Sequence, residues 1–395
     1  MANAKILKTD VVTSSATVYT STGNGFDYVV TEASGTGEFP HNENFALGLG
    51  SQIYQPDNGT SYIYETHDTN GNSTSYYNTA FRLSLTTSTS FDFVGLAGLN
   101  LNGSILDLSD FTFKALSRDV TTYTATGFGR YVADSEEVRI TTSAAHGLNV
   151  GDYVALSIPA NSNDHLKDDT TPTLNYAYLV AVNGIDKPMR VSAVPSTTQF
   201  VIIHPSIYVR GSSASLEDNA TVYTFTEDYS VALADDYGIQ ILTPVSSINP
   251  DICLIEYQSS NDASGILSIG RLFLGTWFQP AKNVQPSQFQ PVNNSERIQM
   301  SDNSWRYENI PATKTVQVEW KTLTKSEWLE LQAILEERGG RGDILYTMFP
   351  DVSPVAWEKA HEIVGVISSW DQYPLIEDGS DYVSGITLQI DGAGY

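Results

Sequence analysis

The sequence predicts a mainly β protein: a jelly-roll sandwich interrupted by a small β-barrel-like insertion and followed by a small α+β unit with one helix. Three observations predict it. Hydrophobic residues make up 41% and aromatics 11% of the 395 residues, enough for two or three separate cores. Charged residues are only 17%, below the roughly 25% usual for globular chains, and Ser, Thr, Asn and Gly take their place, a composition suited to strands joined by turns. Finally, only one stretch carries a convincing helical signature, whereas apolar and alternating runs of strand length recur throughout.

Residues 1–130 read as short strands between turn clusters. Asp57-Asn58-Gly59 and Asn70-Gly71-Asn72 signal turns, flanked by aromatic stretches such as Ser61-Tyr62-Ile63-Tyr64. The run Phe91–Leu101 is almost continuously apolar, as in a strand buried on both faces, and Asn102-Gly103 turns into a second strand, Ser104–Leu108. From about residue 135 five short strands are packed into about 70 residues, the scale of a small barrel. They are Glu137–Thr142, Val150–Leu156, Tyr176–Val182, Met189–Ala193 and Gln199–Ile203, with a turn at Pro195–Thr198 before the last. Beyond residue 205 the first unit resumes with Ala220–Phe225, Tyr237–Leu242, Ile252–Tyr257 and the apolar strand Ile266–Trp277. Segments 1–130 and 205–280 together supply about eight to ten strands, the count of a jelly roll, with 135–204 inserted at an exposed loop.

The C-terminal region is compositionally distinct, since all six tryptophans lie between Trp277 and Trp370. Residues 281–310, within a Pro/Gln/Asn-rich stretch that starts at Gln279, read as an extended linker or arm. Residues 311–395 form an α+β assembly unit. Lys314–Trp320 alternates as a strand should. A helix follows, with Thr324 as N-cap, Glu327 completing a capping box, and Trp328, Leu331, Ile334 and Leu335 on one face. Gly339-Gly340 ends it. Strands Ile344–Phe349, His361–Ser368 and Tyr382–Ile390 close the chain.

Charge narrows the function. Twenty-one Lys and Arg against 46 Asp and Glu give a net charge of −25, and between Thr9 and Phe113 the only Lys or Arg is Arg82. Such a surface repels phosphate backbones and anionic lipid, so neither nucleic acid nor a membrane surface is an expected partner. There is no signal-peptide core and no run of eighteen apolar residues, so no membrane insertion is expected. The single cysteine, Cys253, lies in the apolar run ICLIEY and reads as a buried hydrophobe made in a reducing cytoplasm.

The search for chemistry assigns no catalytic, cofactor-binding or metal residue, and the chain is expected not to be an enzyme. Nucleophile-elbow, P-loop and dinucleotide fingerprints are absent. His361-Glu362 does not open a zinc motif, because Val364, Gly365 and Val366 follow; Glu358, His361 and Glu362 read as a solvated turn. The six histidines, at 41, 67, 146, 165, 204 and 361, are scattered. His146, in the turn His146-Gly147-Leu148, reads as a backbone hydrogen-bonding residue that leads into the Gly151-Asp152 strand, with Gly147 and Gly151 supplying backbone freedom. A glycosidase needs two carboxylates in one cleft, whereas in the pairs Glu136-Glu137, Asp168-Asp169, Asp235-Asp236 and Glu336-Glu337 adjacent acids point to opposite faces on a strand and are solvated on loops. Asp57-Asn58-Gly59 and Asp68–Asn72 look like calcium loops but lack the closing glutamate, and turn chemistry explains them equally well. Arg341-Gly342-Asp343 reads as a turn.

Three β-rich modules resemble parts of bacteriophage tail proteins. The "strand, HGL, GD, strand, turn, strand" order of 135–204 is similar to a small β module inserted in many such proteins and related to FCCH-like folds. Phe93–Leu101 resembles a strand of phage minor structural proteins that carry a galactose-binding-like jelly roll, although Leu99 stands where that pattern has histidine. Ile269–Gly275 resembles the closing strand of the same proteins, and the C-terminal unit is similar to the tail-tube-like split barrel of distal-tail and baseplate proteins. The resemblance implies a structural component of the virion tail, assembled in the host cytoplasm and acting as a homo-oligomeric ring with other tail proteins. Region 305–370 is then the expected mixture of core and subunit interface, Trp328 belonging to the core. The alternative is an adhesin whose jelly roll recognises host surface glycan through Tyr62, Tyr64, Tyr76 and Tyr77.

Overall fold

A computed structural model describes residues 4–10, 16–20, 29–30, 51–54, 64–67, 73–85, 90–97, 100–102, 107–130, 137–159, 184–203, 214–233, 239–244, 246–259, 266–269, 271–282, 288–292, 296–299, 305–308, 313–339, 343–348, 361–370 and 381–392. The strands are β1 (Lys5–Asp10), β2 (Ala16–Thr20), β3 (Val29–Val30), β4 (Ser51–Tyr54), β5 (Tyr64–His67), β6 (Ser73–Leu85), β7 (Phe93–Ala97), β8 (Asn100–Asn102), β9 (Phe111–Arg130), β10 (Glu137–Thr142), β11 (Tyr153–Ser157), β12 (Gly184–Ser196) and β13 (Gln199–Ile203). They continue with β14 (Ala214–Ala232), β15 (Ile239–Leu242), β16 (Ile252–Ser259), β17 (Ile266–Ile269), β18 (Arg271–Phe278), β19 (Gln288–Val292), β20 (Glu296–Gln299), β21 (Trp305–Glu308), β22 (Thr313–Thr324), β23 (Asp343–Thr347), β24 (Glu362–Trp370) and β25 (Tyr382–Gly392). Helix α1 (Lys325–Arg338) lies between β22 and β23, and a 3-10 turn (Leu108–Asp110) precedes β9. The protein is mainly β, with two large sheets and, among the described residues, one α-helix.

The first large sheet has nine strands in the order β15-β7-β18-β1-β23-β24-β25-β22-β19. The N-terminal strand lies fourth in this order, well inside the sheet. β1 pairs with β18 through Ile6↔Phe278 and with β23 through Ile6↔Tyr346, so strands on either side of β1 come from distant parts of the chain. The sheet curls. Leu345 of β23 packs with Phe93 of β7, Phe273 of β18 and Leu7 of β1 in one buried cluster, and β18 and β1 separate β7 from β23 in the ladder. Gly95 of β7 is where they meet, since a Cβ there would lie 2.6 Å from the Leu345 side chain. A second cluster holds Ala4, Ile6 and Phe278 together with Val318 and Trp320 of β22, Leu388 of β25 and the inner face of α1. Phe278 meets Trp320 edge to face at 6.0 Å, across four intervening strands. Alternation along β1 therefore sends Ile6 into one core and Leu7 into the other.

The second sheet has eleven strands and is carried by two long ones, β9 and β14, paired with each other from Thr112↔Ala232 to Phe128↔Ala214. The near half of β9 (Phe111–Leu116) pairs with β16, and its far half (Ala125–Arg130) pairs with β10. Beyond this point the pairings β10–β13, β13–β12, β12–β11 and β11–β14 return to the start. The result is a closed six-stranded antiparallel barrel, filled by Ala125, Phe128, Ile140, Val154, Leu156, Phe200, Ile202 and Val222 among others. The inserted barrel thus borrows two of its staves from strands that flank it in sequence.

Several elements match the sequence expectation closely. Gln199–Ile203 and Glu137–Thr142 are strands to the residue, β22 alternates buried and exposed, and β7 is buried at every position. Others differ. Ile266–Trp277 is not one strand, since β17 joins β4 and β8 in a three-stranded sheet while β18 enters the nine-stranded one. Phe91–Leu101 is divided in the same way between β7 and β8. A uniform apolar run does not record which sheet each half serves. Leu108, expected to end a strand, instead opens the 3-10 turn, capped by Asp107, which accepts the Ser109 amide at 2.9 Å. Within the stretch read as an arm, β19 is the edge strand of the nine-stranded sheet; Pro291 is tolerated there because an edge position need not donate on its outer side. The turn signals at 57–59 and 70–72 and the strand Tyr176–Val182 lie outside the described residues, although β5 and β6, on either side of 68–72, pair antiparallel.

Candidate functional site

The residues singled out for chemistry are occupied in scaffolding. His146 is buried, and its Nδ1 accepts the Leu148 amide at 3.0 Å while its ring stands edge-on to Phe200 at 5.4 Å. Its own amide donates to the Thr197 carbonyl at 3.0 Å, tying the turn to the β12–β13 hairpin. Gly147 and Gly151 have φ of 67° and 99°, the left-handed backbone that a β-carbon resists. Cys253 is fully buried on β16, and burial first, then the nearby Asp228 charge, push its thiol well above the ordinary range. It has no thiolate character to offer.

The solvated turn expected at 358–362 is corrected in part. Glu362 is 2% exposed and opens β24, paired with Thr347 of β23, before β24 takes β25 on its other side from Gly365. His361 sits edge-on to Phe289 at 5.0 Å. Of the acid pairs, Glu336 and Glu337 are exposed on α1, where Glu336 accepts from Gln332 at 2.7 Å; Glu137 opens β10, and the other five acids lie outside the described residues. So do Arg341 and Gly342, whereas Asp343 begins β23. No group of three His, Cys, Asp or Glu among the described residues could hold a metal ion. Of the tyrosine cluster, Tyr64 and Tyr77 form one rung of the β5–β6 ladder, Tyr76 registers with Glu65, and Tyr62 lies outside the described residues.

The most concentrated polar chemistry lies where the barrel meets the second sheet, and sequence reasoning did not find it. The Arg190 Nη1 on β12 donates to Glu256 Oε2 on β16 at 3.0 Å. Lys114 of β9 donates to Glu227 of β14 at 3.0 Å, lies 3.5 Å from the same Glu256 oxygen, and stands 5.1 Å over the Tyr153 ring of β11. Glu256 is almost wholly buried. Burial raises the Tyr153 hydroxyl pKa well above its ordinary value, and the Glu256 charge adds to this while Arg190 opposes it, so the ring remains a neutral phenol. Tyr153 and Ala155 pack with Leu116, Phe225, Ile252 and Leu254, whereas Val154 and Leu156 face the barrel interior; β11 is consequently buried on both faces. Two cations and two carboxylates balance, and four strands plus β12 hold them. Chemically this is a clamp that fixes the barrel against the sheet. Its sequence signal was a single charge inside each of two apolar runs, Lys114 in FTFKAL and Glu256 in ICLIEY.

At the C-terminal unit, Trp320 and Trp328 are core residues, whereas Trp370 is 44% exposed and Leu329 on α1 is 64% exposed. No helix among the described residues is long and apolar enough to cross a membrane. No protein-family model matches the chain, and no curated protein matches it. Among solved structures the chain is similar to Phage phi92 endosialidase at 11% identity, over 82% of this chain and 56% of that one, with a TM-score of 0.15. The chain spans just over half the length of that protein, and a TM-score this low carries no argument about fold or activity.

Proposed function

We propose that the chain is a non-enzymatic structural component of a bacteriophage tail or tail tip, of minor-tail, distal-tail or baseplate type, working through homo- and hetero-oligomeric assembly. The observation that carries this reading is how the β units are sewn together. β1 seats inside a nine-stranded sheet, and β9 and β14 run without interruption from the second sheet into the barrel, where the buried Glu256 cluster locks the junction. A framework in which the barrel shares two strands with the second sheet, and the first sheet joins strands from both ends of the chain, is suited to carrying load rather than to opening around a substrate. The three tail-protein resemblances in the sequence supply the class of assembly.

Light scattering on the purified chain across a range of concentrations tests the reading. A discrete closed oligomer of a few subunits is expected. A strict monomer, both alone and mixed with candidate tail partners, overturns it. The second reading, glycan recognition by the jelly roll, is favoured by the Tyr64–Tyr77 rung alone; saturable binding on a glycan array would support it.

A further inference from the structure

We infer that the bulge at residues 119–121 guards a bare stretch of the β9 edge and keeps crowded copies of this chain from pairing strand to strand through it. One edge of β9 is taken by β14. The other is shared, with β16 pairing as far as Ile252↔Leu116 and β10 resuming at Thr142↔Ala125. Both margins of the gap are finished. Asp251 donates its amide to the Leu116 carbonyl at 3.0 Å and accepts the Arg118 amide on its side chain at 2.8 Å, and Ser143 donates its amide to the Thr124 carbonyl at 2.9 Å. Between these margins, among the described residues, no strand pairs with 119–123 on that side, and Val120, Thr121 and Thr122 are exposed.

The residues of this stretch make a bare edge hazardous. Val120–Thr126, VTTYTAT, contains no charge, proline or glycine, and every member but Ala125 is β-branched or aromatic. An uncharged, strand-prone run of this length on an open edge is what templates pairing between chains. Arg118 and Asp119 place charges directly before it, where residues that interrupt such pairing are expected.

The backbone does not present that edge straight. The β9–β14 ladder passes from Thr122↔Tyr223 to Arg118↔Phe225, which sets Asp119, Val120 and Thr121 against Thr224 alone. Asp119 holds the surplus in place, its two carboxylate oxygens accepting the hydroxyls of Thr224 and Thr226 at 2.7 Å each. Val120, the middle residue of the three, is fully exposed at 101%. A bulge bends and twists its strand, so the amides and carbonyls that a partner would have to meet are thrown out of line. The surplus is two residues, and alternation therefore resumes in step beyond it; a surplus of one would exchange the faces of β9. The fold thus gains a broken edge without disturbing what β9 buries on either side.

Removing Val120 and Thr121 from the full-length chain straightens the edge and leaves both faces of β9 in place. Light scattering over a concentration series compares this shortened chain with the wild type, and thermal unfolding checks that it folds. The shortened chain is expected to begin associating at a roughly tenfold lower concentration than the wild type. T122K, added to the shortened chain, puts a charge on the straightened edge and is expected to restore the wild-type behaviour. A shortened chain that melts cooperatively and associates only as the wild type does overturns the guard. So does extra association that T122K leaves unchanged, because it then runs through another surface. Hydrogen exchange on the unaltered chain answers separately, whether or not the shortened chain folds. Exchange in the peptide covering 119–123 is expected to be independent of protein concentration, and protection that grows with concentration overturns the guard by showing that the edge accepts a strand. None of these outcomes bears on whether the wild type forms a closed oligomer, so the guard and the assembly reading stand or fall apart.

Discussion

Glu256 shows how a single carboxylate positions two units at once. It follows Ile252, Cys253, Leu254 and Ile255 in its strand, and it receives Arg190 from the barrel and the proximity of Lys114 from β9. Removing it by E256A takes from Arg190 the buried carboxylate it donates to and leaves Lys114 with Glu227 alone, and the expected loss is about 3–5 kcal/mol in urea unfolding. A loss below 1 kcal/mol would mean that solvent reaches the junction freely. Glu327 is a residue of a different kind. It accepts the Ala281 amide at 2.6 Å and the Thr324 amide at 2.7 Å, and Thr324 in return accepts the Glu327 amide at 3.2 Å. Burial by itself would raise its pKa, yet these donors and nearby Lys282 hold it below the ordinary 4.5. A carboxyl depressed in the folded state stabilises fully above that ordinary value and loses its contribution as pH falls through the folded-state pKa. The difference in melting temperature between wild type and E327A is therefore expected to be largest at neutral pH. It should shrink below about pH 4.5, measured by circular dichroism on dilute protein.

Helix α1 illustrates what is readable locally. Thr324, Glu327 and the apolar spacing of Trp328, Leu331, Ile334 and Leu335 specify a capped amphipathic helix from adjacent residues alone, and each takes its expected place. Its end is subtler. Gly339 has φ −57°, so the left-handed backbone usual at helix ends is not why glycine stands there. A Cβ at Gly339 would lie 2.4 Å from the Leu335 carbonyl and 2.8 Å from the Trp370 ring, and space is what the position requires. G339A is expected to cost about 1–3 kcal/mol, read from the urea midpoint at constant slope. The same divide separates the strands. Alternation in β22 and the turn between β12 and β13 are local signals and were legible. The division of the apolar run 266–277 between two sheets was not, because both halves are equally apolar. The clamp was missed for a related reason, since its five residues come from five strands and only pairing brings them together.

At the scale of the molecule, the pairing of β1 decides what can be removed. A cut near residue 300, which the sequence presents as a boundary before the tryptophan-rich unit, takes away β23 and β24. It bares one edge of β1 and strips Leu345 and Val364 from the cluster around Phe93. Such a fragment is expected to be insoluble or to bind a hydrophobic dye strongly, whereas a soluble, cooperatively melting 1–300 fragment would contradict the shared core. The position of β1 also has a consequence in time. Its two neighbours, β18 and β23, leave the ribosome some 270 and 340 residues after it. Neither can reach it until about 270 further residues have been made. At typical elongation rates of about 5–20 residues per second, Ile6 and Leu7 wait tens of seconds without a partner. During synthesis β1 is thus seated long after it is made, and that interval is when a chaperone, or a neighbouring nascent chain, competes for it.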